Sequence, residues 1–138
     1  MGTFKTFEDI EAWRKAREVT REIYQVTGKT PFSRDFGLKD QIRRAVVSIM
    51  SNIAEGFESQ TQAMFIKYLA YAKGSAGELR AQLYTARDQG YITDDGFNET
   101  FSLAEICSKQ LARFIQYLES QPNARRVREE GVTYNVEQ

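Results

Sequence analysis

Residues 65–86 read FIKYLAYAKGSAGELRAQLYTA and carry an apolar seam at helical spacing. The seam steps by four and three residues without a break, through Phe65, Leu69, Ala72, Ala76, Leu79, Leu83 and Ala86. A repeat that averages about 3.5 residues keeps one face of an α-helix turned toward a neighbouring helix. We therefore predict a helix over residues 60–89 that packs inside a helical bundle.

Three further segments also place apolar residues at helical spacing. They predict helices over residues 7–27, 35–57 and 95–121. The breaks between the four helices are short, and short breaks make consecutive helices run antiparallel. The sequence therefore predicts an all-α fold, an antiparallel up-down-up-down four-helix bundle over residues 1–121, with an open helical array as the alternative. Residues 122–138 have no apolar stripe, and we expect them to form a flexible C-terminal tail.

Glycines and capping residues mark the expected helix ends. Gly28, Gly56 and Gly90 each follow an apolar stripe, which is typical of glycines that terminate helices. Side chains that accept hydrogen bonds from free N–H groups are expected at the helix starts. For the first, third and fourth helices these are Thr6 with Asp9, Ser59 with Gln62, and Thr93 with Asp94 and Asp95.

The composition argues against several classes of function. The chain has 19 basic and 19 acidic residues, so no overall field draws it to nucleic acid or to an anionic membrane. It has no histidine, which is the commonest general base near neutral pH and the commonest nitrogen ligand for metals. No apolar run reaches the ~20 residues that span a membrane. We predict a non-enzymatic protein with no catalytic residues, no metal and no other cofactor.

The cysteine content and the first residues indicate a compartment. Cys107 is the only cysteine, and it lies on the apolar seam of the fourth helix, where a thiol behaves as a small hydrophobe. The first residues lack the apolar core and the small-residue cleavage site of an export signal. We therefore expect a cytoplasmic protein with no disulfide framework and no membrane partner.

Two glycines lie in the middle of the third predicted helix. Gly74 and Gly77 each cost the helix about 1 kcal/mol relative to alanine, so a compensating gain is expected. The local sequence has the look of a phosphate-binding loop, but it lacks the preceding strand and the following Lys-Ser/Thr pair. We predict instead that the second helix approaches closely here, at Ala45 and Ser48.

A polar stripe follows the second helix beside its apolar stripe, and Arg44 lies on it. Its other members are Gln41, Ser48, Asn52 and Glu55. A buried polar group without a partner costs ~1 to 3 kcal/mol, so any buried member must be paired. Two interpretations stay open, namely a hydrogen-bonded seam that fixes the helix register and a recognition surface.

Basic residues repeat along the third helix. Lys73, Arg80 and Arg87 are seven residues apart, which places them on one face at intervals of about 10 Å. Together with Arg43 and Arg44 of the second helix, they are the candidate phosphate contacts for RNA. A solvated charged face is the alternative interpretation.

Apolar residues also extend beyond one narrow stripe on each helix. These additional residues are Tyr24, Met50, Ile66, Tyr68, Tyr71, Ile106, Ile115 and Tyr117. Broad stripes that face the core explain them, and so do exposed patches that contact further copies of the chain. Spacing alone favours neither explanation.

Three stretches together resemble the four-helix bundle protein family, also called the 23S rRNA-intervening-sequence protein family. They are residues 6–16, TFEDIEAWRKA; residues 38–56, LKDQIRRAVVSIMSNIAEG; and residues 65–92, FIKYLAYAKGSAGELRAQLYTARDQGYI. The most specific signature is QIRRA followed by SNIAEG. Met50 stands where the family pattern has proline and Val46 where alanine is usual, so we expect a straighter second helix with altered contacts.

The resemblance implies an up-down bundle that assembles into a homo-oligomeric ring, commonly a pentamer, with no known catalytic activity. It also implies a distant similarity to the accessory variability determinant of diversity-generating retroelements, which binds nucleic acid and a reverse transcriptase. Those relatives are expected to be basic, whereas this chain is neutral. Our first hypothesis is therefore an oligomeric adaptor that binds RNA or an RNA-handling protein. The alternative is a protein–protein scaffold with no nucleic-acid role.

Overall fold

Four long helices form the body of the protein. In the computed structural model, which describes residues 2–122 and 133–134, they are α1 (Glu11–Thr27), α2 (Phe36–Glu58), α3 (Gln62–Asp88) and α4 (Asp94–Ser120). Each helix packs against its two neighbours in the closed cycle α1, α2, α3, α4. The predicted all-α, antiparallel four-helix bundle is therefore confirmed.

The core consists of the residues whose spacing predicted the helices. The complete α3 seam, from Phe65 to Ala86, is buried without measurable exposure. The other three helices contribute mainly aliphatic side chains to the same core. Among those that are fully buried are Val19, Ile23, Ile42, Ile49, Ile53, Cys107, Leu111 and Leu118.

The first helix begins later than predicted. Residues Phe7–Asp9 form a separate 3-10 turn, and Ile10 is extended, so α1 starts at residue 11 and not at residue 7. The reason is local, because the Asp9 carboxylate accepts the N–H groups of Lys5 (2.9 Å) and Thr6 (3.2 Å) and so caps the short turn. The extended Ile10 then places its side chain in the core.

The connection between α1 and α2 is a small packed unit. Gly28 caps α1 as predicted, and Asp35 caps α2 by accepting the N–H of Leu38 at 3.1 Å. Phe32 lies between them in a 3-10 turn, fully buried and stacked on Tyr91 with ring centroids 5.0 Å apart. The Tyr91 hydroxyl donates to the second Asp35 carboxylate oxygen at 2.9 Å, which ties the α3–α4 loop to the start of α2.

The prediction that Gly56 ends α2 is wrong. The helix continues to Glu58, and Gly56 is buried inside it. A Cβ atom at this position would lie 2.9 Å from Tyr68 Cβ and 3.0 Å from Phe65 Cδ1. Among the described glycines, Gly56 is therefore the one at which α2 and α3 approach each other most closely.

The predicted cap of α3 is also wrong. Thr61, and not Ser59, is the N-cap, because its hydroxyl accepts the N–H of Met64 at 3.1 Å. Gln62 reaches across the bundle, where its side-chain amide donates to the carbonyl of Leu118 at 2.6 Å. It therefore holds the end of α4 against the start of α3.

The fourth helix begins as its sequence predicts. Thr93 caps it by accepting the N–H of Gly96 at 3.0 Å, and Asp94 and Asp95 lie in its first turn. Gly90, just before it, has a φ of 76°, a left-handed conformation in which glycine has no steric penalty.

Near the two ends of the chain, two short segments pair with each other. Gly2–Thr3 (β1) and Thr133–Tyr134 (β2) form an antiparallel pair, in which Gly2 is opposite Tyr134. No sequence pattern indicated this pair. Most of the predicted flexible tail, residues 123–132 and 135–138, lies outside the described residues.

Candidate macromolecule-binding surface

Two open depressions flank α2 and meet at Ser48. The first, of about 540 Å³, lies between α2 and α1, and the second, of about 490 Å³, lies between α2 and α3. We call the two together the α2 surface. Its residues are Tyr24, Asp40, Arg43, Arg44, Val47, Ser48, Asn52, Ala70, Tyr71, Gly74, Ser75 and Glu78.

A hydrogen-bonded chain crosses the middle of the α2 surface. The Ser48 and Ser75 hydroxyls are 2.9 Å apart and join α2 to α3. The Asn52 amide donates to the Ser48 carbonyl (2.9 Å) and hydroxyl (3.0 Å). Ser48 and Asn52 thus form a seam of the kind that fixes helix register, whereas Gln41 and Glu55 of the same polar stripe are exposed.

The predicted close approach at the mid-helix glycines of α3 is wrong. A Cβ atom at Gly74 would meet nothing within 4 Å, and one at Gly77 would meet only the Arg80 side chain of its own helix, at 3.5 Å. The contact with α2 is made instead by Ser75, which lies between the two glycines in sequence and hydrogen-bonds to Ser48. Gly74 consequently leaves an open gap in the α2 surface.

Exposed apolar side chains border this surface. Tyr24, Val47 and Tyr71 are 42%, 41% and 50% exposed. An exposed Tyr or Val taken singly is ordinary on a protein surface. Three that border adjoining depressions with a polar centre have the composition of a protein-binding patch.

Arg43, one of the predicted phosphate contacts, is engaged within the chain. Its Nε donates to the Thr27 hydroxyl at 2.8 Å, and its guanidinium lies over the Tyr24 ring at 4.3 Å from the ring centroid. A second guanidinium nitrogen is 3.4 Å from the Tyr24 carbonyl. These contacts hold the end of α1 to α2, so the arginine has a structural role.

Three of the other four predicted cations lie on α3, and the fourth, Arg44, lies on α2. Arg87 packs over the Phe97 ring of α4 at 4.2 Å, and Arg80 donates to the Ala76 carbonyl of its own helix at 3.4 Å. Lys73 lies two helical turns before Arg80 on the same face of α3 and is exposed. Arg44 is also exposed, but it lines the α2 surface. The structure therefore does not gather the five residues into one basic patch.

The groups that could do chemistry are few and dispersed. Within residues 2–122, no three acidic or cysteine side chains converge as a metal site requires. Burial raises the pKa of the Cys107 thiol to about 12, and the sulfur lies 3.5 Å from the Ala12 carbonyl. A thiol with that pKa stays protonated at neutral pH and is a poor nucleophile.

Comparison with known protein families gives a match over most of the chain. A sequence model of the 23S rRNA-intervening sequence protein family matches residues 8–113. The chain belongs to that family. The distant similarity to the accessory variability determinant stays a prediction.

A solved structure resembles this 23S rRNA-intervening sequence family protein. It is the crystal structure of a protein of unknown function from the S23 ribosomal protein family of Bacteroides thetaiotaomicron, with a TM-score of 0.70. The two are 25% identical, and the match covers 76% of this chain and 95% of that one. No curated protein matches the chain. The comparisons therefore provide a family and a fold, without an activity.

Met50 and Val46, where the resemblance implies a departure from the family pattern, both lie within α2. The helix is unbroken through Met50, whose sulfur lies 3.3 Å from the Thr20 hydroxyl. Val46 is fully buried, and its carbonyl is 3.5 Å from the same hydroxyl. Both residues therefore contribute to the packing of α1 against α2.

Some residues of the α2 surface were not singled out as binding residues from the sequence. Val47 and Glu78 had no assigned role, and Tyr71 was one of eight apolar residues left between the core and a contact surface. All three residues lie outside the buried seam of their helix, as many solvated residues do. Spacing alone therefore does not mark them as binding residues, and their arrangement on one surface appears only once α2 and α3 are aligned.

Among the described residues, no helix is both long enough and apolar enough to cross a lipid bilayer.

Proposed function

We propose that this chain is a non-enzymatic, homo-oligomeric adaptor that acts by binding proteins through its α2 surface. Its partners are further copies of the same chain and an RNA-handling protein. The observation that supports this most is the arrangement of Tyr24, Val47 and Tyr71 around the polar centre at Ser48. The depressions are open and shallow, which suits another protein surface better than a small ligand that has to be enclosed.

The charge distribution favours a protein partner. The chain is neutral, and three of the five candidate cations are used within it, Arg43, Arg80 and Arg87. The α2 surface carries Asp40 and Glu78 as well as Arg44, and a mixed rim of this kind guides the register of protein–protein contacts.

Self-association is the first form of binding to test. Five subunits are expected from the family resemblance, so light scattering coupled to gel filtration should give five times the 15.9 kDa chain mass. Tyr71→Glu and, separately, Val47→Glu should reduce that mass to a monomer's, because each places a charge in the contact. Ile106→Glu is the matched control, since Ile106 is a similarly exposed apolar residue on α4.

Two outcomes would contradict the self-association part of the proposal. One is a wild-type protein that is monomeric at micromolar concentration. The other is an oligomer that survives both substitutions on α2 and α3 but is dissociated by Ile106→Glu. Far-UV circular dichroism of each variant shows whether its helices are intact.

Direct RNA binding is the second candidate function, and the exposure of Arg44 and Lys73 supports it. Phosphate contacts make affinity fall steeply between about 50 and 200 mM salt. Fluorescence anisotropy with a labelled ribosomal RNA hairpin should show that fall, and Arg44→Gln and Lys73→Gln should each weaken binding. Lys109→Gln, an exposed change on α4, is the control. Absence of binding at low salt would leave the protein-only scaffold.

A further inference from the structure

An aromatic cluster lies where α3 packs against the start of α4. Tyr84 of α3 contacts Phe97 and Phe101 of α4, with ring centroids 5.0 and 5.5 Å apart, and the two phenylalanines stack on each other at 5.1 Å. Phe97 is buried and Phe101 is partly buried, whereas Tyr84 is 47% exposed. Tyr84 is therefore an exposed ring that rests on a packed aromatic base.

Two arginines bring positive charge to this ring. The Arg87 guanidinium lies 4.2 Å from the Phe97 ring centroid and 5.2 Å from that of Tyr84. Stacking on a ring uses the face of the planar guanidinium and leaves the N–H groups at its edge available. Arg80, one helical turn before Tyr84, donates its Nε–H to a carbonyl of its own helix and keeps the other N–H donors of its fork. We call Tyr84, Phe97, Phe101, Arg80 and Arg87 together the Tyr84 patch.

The Tyr84 patch and the α2 surface carry unpaired charges of opposite sign. Neither arginine of the patch forms an ion pair with a described residue. The same holds for Asp40 and Glu78, which line the two depressions of the α2 surface. Arg44 is the basic exception on the α2 surface, and Glu105, one helical turn after Phe101, is the acidic exception beside the patch. Two faces with opposite, unpaired charges attract each other and fix the register of a contact.

The two faces cannot meet within one chain. Tyr71 borders the α2 surface, and Tyr84 is thirteen residues further along the same helix. At about 3.6 residues per turn, this spacing places the two side chains about 140° apart around the axis of α3. Tyr84 contacts α4, whereas Tyr71 lines the depression between α2 and α3. A contact between the Tyr84 patch and the α2 surface therefore joins two copies of the chain.

The shapes of the two faces also fit. The α2 surface consists of two open depressions, and Gly74 widens one of them, since a Cβ atom there would meet nothing within 4 Å. Two facing depressions leave space between them, whereas an exposed ring fills one. Tyrosine and arginine are also among the residue types that contribute most binding energy at protein interfaces. The Tyr84 patch is therefore a better counterpart for the α2 surface than a second α2 surface is.

We propose that the Tyr84 patch of one copy docks into the α2 surface of another copy. The Tyr84 ring fills a depression of the α2 surface, and the free N–H groups of the two arginines meet Asp40 and Glu78. The contact is heterologous, because two different faces meet, and each copy offers both faces to its neighbours. This inference rests on the proposed self-association and names the surface that the α2 surface binds in it.

Mixing two interface variants tests whether two different faces pair. Val47→Glu disables the α2 surface and Tyr84→Glu disables the Tyr84 patch, so each variant alone should have the mass of a monomer by light scattering. In an equimolar mixture, the intact patch of the first variant should bind the intact α2 surface of the second. The mixture should therefore contain a 1:1 dimer of twice the 15.9 kDa chain mass and nothing larger.

The control is a mixture of Val47→Glu with Tyr71→Glu. Both changes lie on the α2 surface, so no intact α2 surface remains and this mixture should stay monomeric. Far-UV circular dichroism of each variant shows whether its helices are intact.

Arg80→Glu provides a second readout that leaves the packed rings in place. It reverses one charge of the patch, so it should raise the concentration at which the oligomer dissociates by about tenfold or more. Lys109→Glu is the matched charge reversal at an exposed position of α4 and should leave that concentration unchanged.

Three results would overturn the pairing while self-association through the α2 surface stands. One is a Tyr84→Glu protein that keeps the wild-type mass while Val47→Glu is monomeric. The others are an equimolar mixture of these two variants without a dimer, and an Arg80→Glu protein that dissociates like Lys109→Glu. A monomeric wild-type protein would instead remove the proposed self-association, and this inference with it.

Discussion

Replacing Gly56 with alanine tests the close contact between α2 and α3 at this glycine. In an exposed helix interior, Gly→Ala stabilises by about 1 kcal/mol. At Gly56 the new methyl group would lie 2.9 Å from Tyr68 Cβ, an atom fixed next to the backbone, and 3.2 Å from the Phe65 carbonyl oxygen. Overpacking of this kind costs about 1 to 3 kcal/mol. Because the Cβ atom cannot rotate away, we expect a net loss of about 1 to 2 kcal/mol.

Gly74→Ala is the matched control, since both glycines lie inside long helices. A Cβ atom at Gly74 meets nothing within 4 Å, so the substitution should stabilise by about 0.5 to 1 kcal/mol. Urea unfolding followed by far-UV circular dichroism, at one protein concentration, measures both changes. The two free energies of unfolding should differ by about 1.5 to 3 kcal/mol. If Gly56→Ala proved as stable as Gly74→Ala, then α2 and α3 would not approach at Gly56 as described.

Three further predictions concern single contacts. Gln62→Leu should lower the free energy of unfolding by about 0.5 to 1.5 kcal/mol in urea, because the hydrogen bond from Gln62 to the Leu118 carbonyl is lost while that carbonyl keeps the N–H of Gln121; an unchanged value would show that the bond across the two helices adds no net stability. Asp35→Asn should lower the raised pKa of Tyr91 toward its ordinary value, since the phenol no longer donates to a charged carboxylate; ultraviolet titration of the phenol measures this, and an unaltered pKa would refute the assigned cause. Cys107 should resist a thiol-specific reagent at neutral pH until urea unfolds the protein, and rapid labelling of the folded protein would contradict its burial.

The helices and the core could be predicted from sequence because a single physical pattern determines both. An α-helix brings every third or fourth residue to one face, so the α3 seam had to be buried together or not at all. The ends were harder, since several residues near each end can cap. Ser59 and Thr61 are both good caps, and only the position of Gln62 against Leu118 shows why the helix starts after Thr61.

The candidate surface was less predictable because it depends on how two helices are aligned. The spacing of Ser48 and Asn52 correctly placed them on one side of α2. Their bonding partner on α3 is fixed by the alignment of the two core seams, which sequence spacing does not supply. The same limit explains the glycines, because spacing along each helix could not reveal that Gly74 of α3 faces open space while Gly56 of α2 faces a neighbouring helix.

The pairing of Gly2–Thr3 with Thr133–Tyr134 places these two segments side by side. Residues 2 and 134 could therefore be joined by a short linker and the chain reopened in the loop between α2 and α3, at Gln60. Such a rearranged gene would encode the helices in the order α3, α4, α1, α2 without altering a core contact. Its folding would show that the bundle is specified by its seams and not by the order in which they are synthesised.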